Sequence, residues 1–247
     1  MSENALYTDL SIYYDLMCVD INYQAQSDCV RRIHQIFGNQ GTRYLDIACG
    51  TGPHIQHFLN YGYQSQGIDL NQPMLDQAKV RCPEASFTLQ NMCTFEIDQP
   101  VDLITCFLYS IHYSGDIEPL KNCIAAVAQA LQKGGVFCFN AVDKRLIDNT
   151  LSTAHFTYHS GSRFDFRSGW HYEGSGSTQT LQLSIQKTTG EQIEYWQDQH
   201  PMVAISFAEL TTLLEPAFDV TILEHDYDSL QPWNEISGNA LFVCVKR

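Results

Sequence analysis

RYLDIACGTG, residues 43–52, decides the fold: a short apolar run leads through an acid and small residues into two glycines. The run reads as a buried strand and the residues after it as a helix. Gly50 and Gly52 let the backbone turn tightly and approach a ligand without a Cβ in the way. Asp46 is placed to accept hydrogen bonds from a cationic amine or to orient the loop. Asp69, twenty-three positions on, ends a second strand, GYQSQGIDL, where a carboxylate can hold a ribose diol. A plainer reading leaves the glycines as a strand–helix turn and Asp69 as a helix-entry residue. The full segment, followed by a strand that ends in an acid, favours nucleotide-cofactor recognition. A dinucleotide fingerprint would need glycine at position 55, where Ile55 stands, and no G-x-x-x-x-G-K-[ST] loop occurs. The turn therefore need not cradle a pyrophosphate.

Strands and helices alternate outward from this turn. Residues 22–38 read as a helix with Cys29, Val30, Ile33 and Phe37 on one face. NQPMLDQAKVRC reads as another, capped by Asn71 and tolerating Pro73 in its first turn. SFTLQ, VDLITCFL and GVFCFNAV read as strands, and PLKNCIAAVAQALQK as a helix ended by Gly134 and Gly135. Past about residue 150 the segments become Thr-, Tyr-, Phe- and Trp-rich with polar alternation, which predicts antiparallel strands. SFAELTTLLEPAF restores a helix, with Ser206 and Glu209 forming a capping box, and FDVTILEHDY and NALFVCVKR supply the last strands. QPWNEISGN is only a connection. The expected fold is α/β: a doubly wound, mostly parallel seven-stranded sheet with a late antiparallel β-rich insertion. Residues 1–40 form an N-terminal helical cover, 41–150 and 206–247 the core, and 151–205 a β-rich substrate lobe.

Composition narrows the function. Forty-four per cent apolar residues support a packed core, and there is no run long and apolar enough for a membrane span and no secretory signal in MSENALYTDL. Nine cysteines, an odd number without a C-x-x-C pair, read as reduced and mostly buried, and a cytoplasmic setting is expected. Net charge −14 without a Lys/Arg cluster argues against nucleic acid, and an anionic small substrate would need a local site such as Arg163 and Arg167. No metal constellation is evident; His54 and His57 lack matching ligands, His57 reads as packing, and His54 lies close enough to the turn to approach a cofactor.

The motifs together resemble the class I S-adenosylmethionine-dependent methyltransferases over nearly the whole chain, with LDIACGTG similar to their glycine-rich first motif. The resemblance implies S-adenosylmethionine as cofactor, with Asp46, Ala48, Gly50 and Gly52 around its methionyl part, and Asp69 on the ribose. It also implies Leu70 and Met74 beside the adenosine and Asn91-Met92 in the third motif, where the family often has Asp-Met. An amide there still accepts from the adenine amino group but carries no charge.

YTDLSIYYDLM, the histidine in GTGPHIQHF and the late insertion resemble small-molecule N-methyltransferases, those that dimethylate nucleotide-linked amino sugars above all. An early tyrosine reaching the cofactor corresponds to Tyr14, with Tyr7 also near the cleft, and the insertion covers the substrate pocket and can support a homodimer.

CFLYSIHYS follows the fourth strand and is expected to set Phe107–Tyr113 beside the transferable methyl. His112 is a candidate base or substrate contact, Tyr14 and Tyr113 further catalytic candidates, and Tyr109 a wall of an amine pocket. Related enzymes often carry a histidine one position later, where Tyr113 stands. In the insertion, Arg163, Arg167, Trp170, Tyr195 and His200 are candidate substrate contacts; His159, His171, Tyr172 and Trp196 belong to the same segment, and alternation lets only some face a pocket. The expected reaction is in-line methyl transfer to an amine nitrogen. O-, S- or C-methylation, a tRNA or protein acceptor, and a non-catalytic cofactor-binding protein are the alternatives.

Overall fold

A computed structural model describes residues 11–247, with only the backbone of Ile12. After a 3-10 turn, Ser11–Tyr13, come α1 (Tyr14–Met17), α2 (Tyr23–Phe37) and β1 (Arg43–Ile47). They are followed by α3 (Pro53–Asn60), β2 (Gln64–Asp69), α4 (Gln72–Arg81), β3 (Ser86–Leu89) and β4 (Val101–Cys106). A 3-10 turn (Ser110–Ser114), α5 (Ile117–Ala130) and β5 (Leu131–Val142) complete the first half. Four strands follow, β6 (Thr153–His159), β7 (Ser162–His171), β8 (Thr178–Thr189) and β9 (Gln192–Val203). The chain then closes with α6 (Phe207–Leu214), β10 (Phe218–Glu224) and β11 (Asn239–Lys246).

Among the described residues, seven strands form one sheet in the order β10-β11-β5-β4-β1-β2-β3. β1 to β5 are mutually parallel, and β11 runs antiparallel to both β5 and β10. This is the doubly wound, mostly parallel fold. Pleating explains its two faces. Phe137 and Phe139 of β5 join Leu45 and Ile104 under α5 and α6, while Val136 and Cys138 meet Tyr44, Leu103 and the α2 residues Cys29, Val30 and Ile33. Order reverses at β1, which has β2 on one side and β4 on the other, so a crevice opens at their carboxyl ends.

The other four strands form an antiparallel sheet β6-β7-β8-β9 between β5 and α6. Its inner face carries Phe164, Phe166, Leu183 and Ile185, which pack on Tyr13, Tyr14, Leu16 and Met17. α6 begins with the capping box: Glu209 N–H donates to Ser206 Oγ, and Ser206 N–H to Glu209 Oε2 (2.8 Å).

Two boundaries differ from expectation. Asn71 occupies the cap position of α4, but its side chain makes no cap; Asp69 Oδ1 accepts Asn71 N–H instead (2.8 Å). The helix before β5 stops at Ala130 rather than at Gly134, because Leu131 is drawn into the core and pairs with Val101. No helix among the described residues is long and apolar enough to cross a membrane.

Candidate active site

The crevice is built from the glycine turn. Ala48, Gly50 and Gly52 all have positive φ (56°, 53° and 79°), a run of left-handed backbone that turns β1 into α3 within a few residues. A Cβ on Gly50 would lie 3.5 Å from Met74 Cε and 3.9 Å from Tyr14 Cε1, so it would occupy the floor of the crevice itself. Asp69, 7 % exposed, fastens the turn: its Oδ2 accepts Gly50 N–H (2.9 Å) and its Oδ1 accepts Asn71 N–H and Asn71 Nδ2–H. Oδ2 keeps a second lone pair, enough for one hydroxyl of a ribose, while Asn71 occupies both lone pairs of Oδ1.

The resulting cleft is lined by Tyr14, Tyr23, Asp46, Ala48, Gly50 and His54, with Phe107, Leu108 and Ser110 opposite. Asp46 is buried, with Thr105 Oγ1–H donating to its Oδ1 (2.5 Å). Burial pushes its carboxyl up to about 7, with Thr105 and Tyr44 pulling the other way. His54 stands 3.9 Å from Asp46 Oδ2, yet burial lowers its imidazole to about 3, so the ring is neutral and forms no ion pair. Its Nε2–H donates to Gln26 Oε1 (2.9 Å), and its ring packs between Tyr23 and Phe107. A buried carboxylate facing a cleft, with no cation beside it among the described residues, fits an incoming ammonium.

α1 closes the cleft above the turn. Thr51 Oγ1–H donates to Asp15 Oδ1 (2.7 Å), and Arg81 at the end of α4 donates to Asp15 Oδ2, to Thr51 O (2.8 Å) and to Thr51 Oγ1 (2.7 Å). Tyr14 is thereby held over Gly50. Tyr7 lies outside the described residues. Along the other flank Leu70 is 65 % exposed, Met74 and Met92 are buried, and Asn91 Oδ1 accepts Cys93 N–H (2.8 Å).

Phe107 begins an aromatic wall. Its ring meets Tyr227 (6.2 Å between centroids), then His225, Tyr109 (5.8 Å from His225) and Trp170 (5.6 Å from Tyr109) follow edge to edge or stacked. Leu108 and Tyr109 sit in left-handed backbone (φ 54° and 61°), and Asn140 Oδ1 holds that bend by accepting Tyr109 N–H (3.0 Å). Burial raises Tyr109 to about 12. His225 Nε2 accepts Asn140 Nδ2–H (3.2 Å), and the Tyr227 hydroxyl oxygen lies 3.0 Å from the same nitrogen.

His112 is not a free base. It is fully buried, its Nδ1–H donates to Val203 O (2.9 Å) and its Nε2 accepts Val142 N–H (3.0 Å). Burial lowers it to about 4, and with both nitrogens occupied it ties the 3-10 turn to β5 and β9. The catalytic and substrate roles expected of it are thus corrected to a structural one.

Arg163, Arg167 and Tyr195 are corrected as well. Register puts them on the outer face of the four-stranded sheet, opposite Phe164, Phe166 and Trp196, because successive residues alternate between faces. Arg163 pairs with Asp165 (2.6 Å) and Arg167 donates to Ser152 Oγ. Trp170 and His200 do lie on the inner face, Trp170 against Tyr109 and His200 hydrogen-bonded to Tyr113.

Tyr23, Asn140, His225 and Tyr227 were not foreseen. His225 and Tyr227 follow β10 at the same sheet edge as the glycine turn, so an aromatic pair just past a strand's carboxyl end was the available signal.

A family profile described as a methyltransferase domain matches residues 45–135. The dTDP-3-amino-3,4,6-trideoxy-alpha-D-glucopyranose N,N-dimethyltransferase of Streptomyces venezuelae is 25 % identical over 226 residues, 91 % of each chain. The crystal structure of Streptomyces venezuelae DesVI superposes with a TM-score of 0.84 at 22 % identity, covering 97 % of this chain and 99 % of that one. The S-adenosylmethionine-bound amino pentose methyltransferase CalS10 of Micromonospora echinaspora does so with a TM-score of 0.79 at 19 % identity, over 100 % of both. The glycine turn and the strand order give the chain the fold of the class I S-adenosylmethionine-dependent methyltransferases, residues 45–135 match the methyltransferase domain, and the whole chain is similar to the sugar-amine N,N-dimethyltransferases.

Proposed function

We propose that this enzyme transfers a methyl group from S-adenosylmethionine to the amine nitrogen of a small molecule, in the class of nucleotide-linked amino sugars. The observation that carries the amine is the aromatic wall of Phe107, Tyr227, His225, Tyr109 and Trp170, which continues from the donor cleft. Methylation of an amine leaves a cation at nitrogen, whereas methylation of a hydroxyl leaves a neutral ether; ring faces stabilise the former by cation–π attraction. When bound, S-adenosylmethionine supplies an electrophilic methyl on a sulfonium. The chain's own residues then bind, orient and exclude water.

Asp46 takes the cofactor's ammonium, with Ala48, Gly50 and Gly52 along the methionyl part and Asp69 Oδ2 accepting from a ribose hydroxyl. Tyr14 covers the cleft, and His54 and Phe107 pack its wall. Leu70, Met74 and Met92 flank the adenine, and the second lone pair of Asn91 Oδ1 accepts from its amino group. Tyr109 and Trp170 border the acceptor. The S. venezuelae relative acts on a 3-amino sugar, which makes a dTDP-linked 3-amino sugar the first acceptor to try. All nine cysteines are buried and free, which supports a reducing, cytoplasmic setting. We further propose a homodimer through the outer face of the four-stranded sheet.

The test combines titration calorimetry with detection of S-adenosylhomocysteine on incubation with dTDP-linked amino and hydroxy sugars. Asp69→Ala weakens cofactor binding by about tenfold or more, the scale of losing hydrogen bonds to a charged group. Turnover of hydroxy sugars but not of amines would overturn the acceptor assignment; unchanged affinity in Asp69→Ala would remove the ribose role.

A further inference from the structure

The donor cleft joins the aromatic wall at a single turn, Phe107–Ser110. Leu108 and Tyr109 are both in left-handed backbone (φ 54° and 61°), and Ser110 N–H closes the turn on Phe107 O (3.1 Å). Side chains with a Cβ avoid that region, so two in succession persist only where the surroundings over-determine them, and such strain gathers at functional sites. The turn is held from both sides. Asn140 Oδ1 accepts Tyr109 N–H (3.0 Å), and His112 ties the residues that follow to Val142 and Val203. Tyr109 is thereby sent toward Trp170 and His225, while Phe107, Leu108 and Ser110 line the cleft.

We infer that the Ser110 hydroxyl orients the acceptor: its oxygen accepts an N–H of the amine and so aims the nitrogen's lone pair into the donor cleft, a role that rests on the amine reading above.

The other polar side chains along the cleft are committed. Asp46 is bonded by Thr105, His54 by Gln26, and Tyr14 lies against the Cys18 thiol. The Tyr23 hydroxyl is sealed from solvent. Ser110 is half-buried, and its hydroxyl has no hydrogen-bond partner among the described residues and is not sealed. It stands across the cleft from the glycine turn and next in sequence to Tyr109 of the wall, where a nitrogen reaching the donor methyl must pass. A serine oxygen has two lone pairs, so it can accept from the amine while its own proton turns elsewhere.

A neutral amine attacks through one lone pair, and holding one of its N–H bonds restricts where that pair points. The pair forms the new N–C bond as the C–S bond breaks, and sulfur keeps the electrons of that bond. Nitrogen is left cationic beside the ring faces of the wall, and one N–H proton passes to water on release. The resulting secondary amine keeps one N–H and is held in the same way. A tertiary amine has none. Ser110 therefore serves two transfers to a primary amine and cannot orient a third.

A binding cycle tests the contact without turnover. In its S-adenosylhomocysteine complex, Ser110→Ala should bind a dTDP-linked 3-amino sugar about tenfold more weakly, the upper end for one neutral hydrogen bond. The same sugar with hydrogen in place of the amine should bind as it does to the wild type. Equal loss for both sugars, or loss for neither, overturns the contact. A matching loss of S-adenosylhomocysteine affinity assigns the hydroxyl to the cofactor and overturns it too. Turnover supplies the second measurement. Single-turnover transfer in Ser110→Ala should slow about 100-fold at both methylations, the scale on which lost alignment acts. Mass spectrometry of the wild-type product should show no third methyl; a trimethylated product formed as fast as the dimethylated one overturns the orienting role. A wild-type chain that methylates hydroxy sugars and no amine removes the amine reading and this role with it. Amine turnover untouched by Ser110→Ala removes this role alone.

Discussion

Asp46 is the residue on which the donor site turns, and its chemistry has a sign. Burial lifts its carboxyl to about 7, so the unliganded chain holds it largely protonated in mild acid. An ammonium favours the ionised form, which means that binding must expel a proton below that value. Affinity for S-adenosylmethionine should therefore be level above about pH 7 and fall about tenfold for each unit below it, by linkage. Asp46→Asn removes the slope along with the attraction, giving weaker binding that hardly varies between pH 5.5 and 8.5 in calorimetry, two ends chosen on either side of about 7. The unliganded chain shows the opposite trend. A carboxyl raised in the folded state favours folding below its unfolded value and loses that contribution as pH rises through its folded value. Asp46→Asn should then melt above the wild type at pH 8 by a margin that narrows toward pH 5. A parallel pH slope in the variant would assign the linkage to another group, with Asp69, also raised by burial, the next to replace.

At the scale of elements, the cleft depends on a four-residue helix that could not hold itself in place. α1 is too short to be stable alone, so its position comes from Arg81 and Thr51 gripping Asp15 and from Tyr13, Tyr14, Leu16 and Met17 packing on the second sheet. Arg81 and Asp15 are about a quarter and two fifths exposed, which weakens the pair relative to a buried one. Arg81→Ala should speed S-adenosylhomocysteine release about tenfold in stopped-flow, the lower end of what hydrogen bonds to charged groups supply. The association rate and melting temperature should move little. An unchanged release rate would mean that packing alone seats α1. This clamp was not visible in the sequence, since Asp15, Thr51 and Arg81 are joined only by the tertiary fold. The glycine turn and Asp69 were legible because strand, turn and helix there are consecutive. The second sheet was legible as strands, but alternation defines two faces without saying which turns inward; Arg163, Arg167 and Tyr195 took the outer one. His112 shows the same limit: its partners, Val142 and Val203, lie 30 and 91 residues away.

At the scale of the whole molecule, one described surface bears on assembly. On the outer face of the second sheet, Phe156, Tyr158, Ile193 and Tyr195 are between 53 % and 69 % exposed, and Arg163 stacks its guanidinium 4.5 Å from the Phe156 ring. These exposed apolar side chains lie along the two edge strands β6 and β9 and flank a concave strip of Arg163, Asp165, Arg167, Ser184, Gln186 and Thr188, a mixed apolar and polar surface of the kind found at non-obligate interfaces. The opposite face of the same strands packs on the N-terminal segment over the cleft, so a second copy docked outside would stiffen the wall that closes the site. The net charge of −14 opposes self-association at long range, while Arg163 and Arg167 lower it locally on this face. Light scattering should then give twice the 28.1 kDa chain mass, more firmly in 0.3 M salt than at about 0.02 M because screening relieves the repulsion. Phe156→Glu combined with Tyr195→Glu should give a monomer with its melting curve still cooperative. If that monomer also binds amine acceptor about tenfold more weakly while holding S-adenosylmethionine as before, the second copy supports the acceptor side of the cleft. A wild-type chain that stays monomeric at every salt concentration would leave this face without a dimer and remove the proposed assembly.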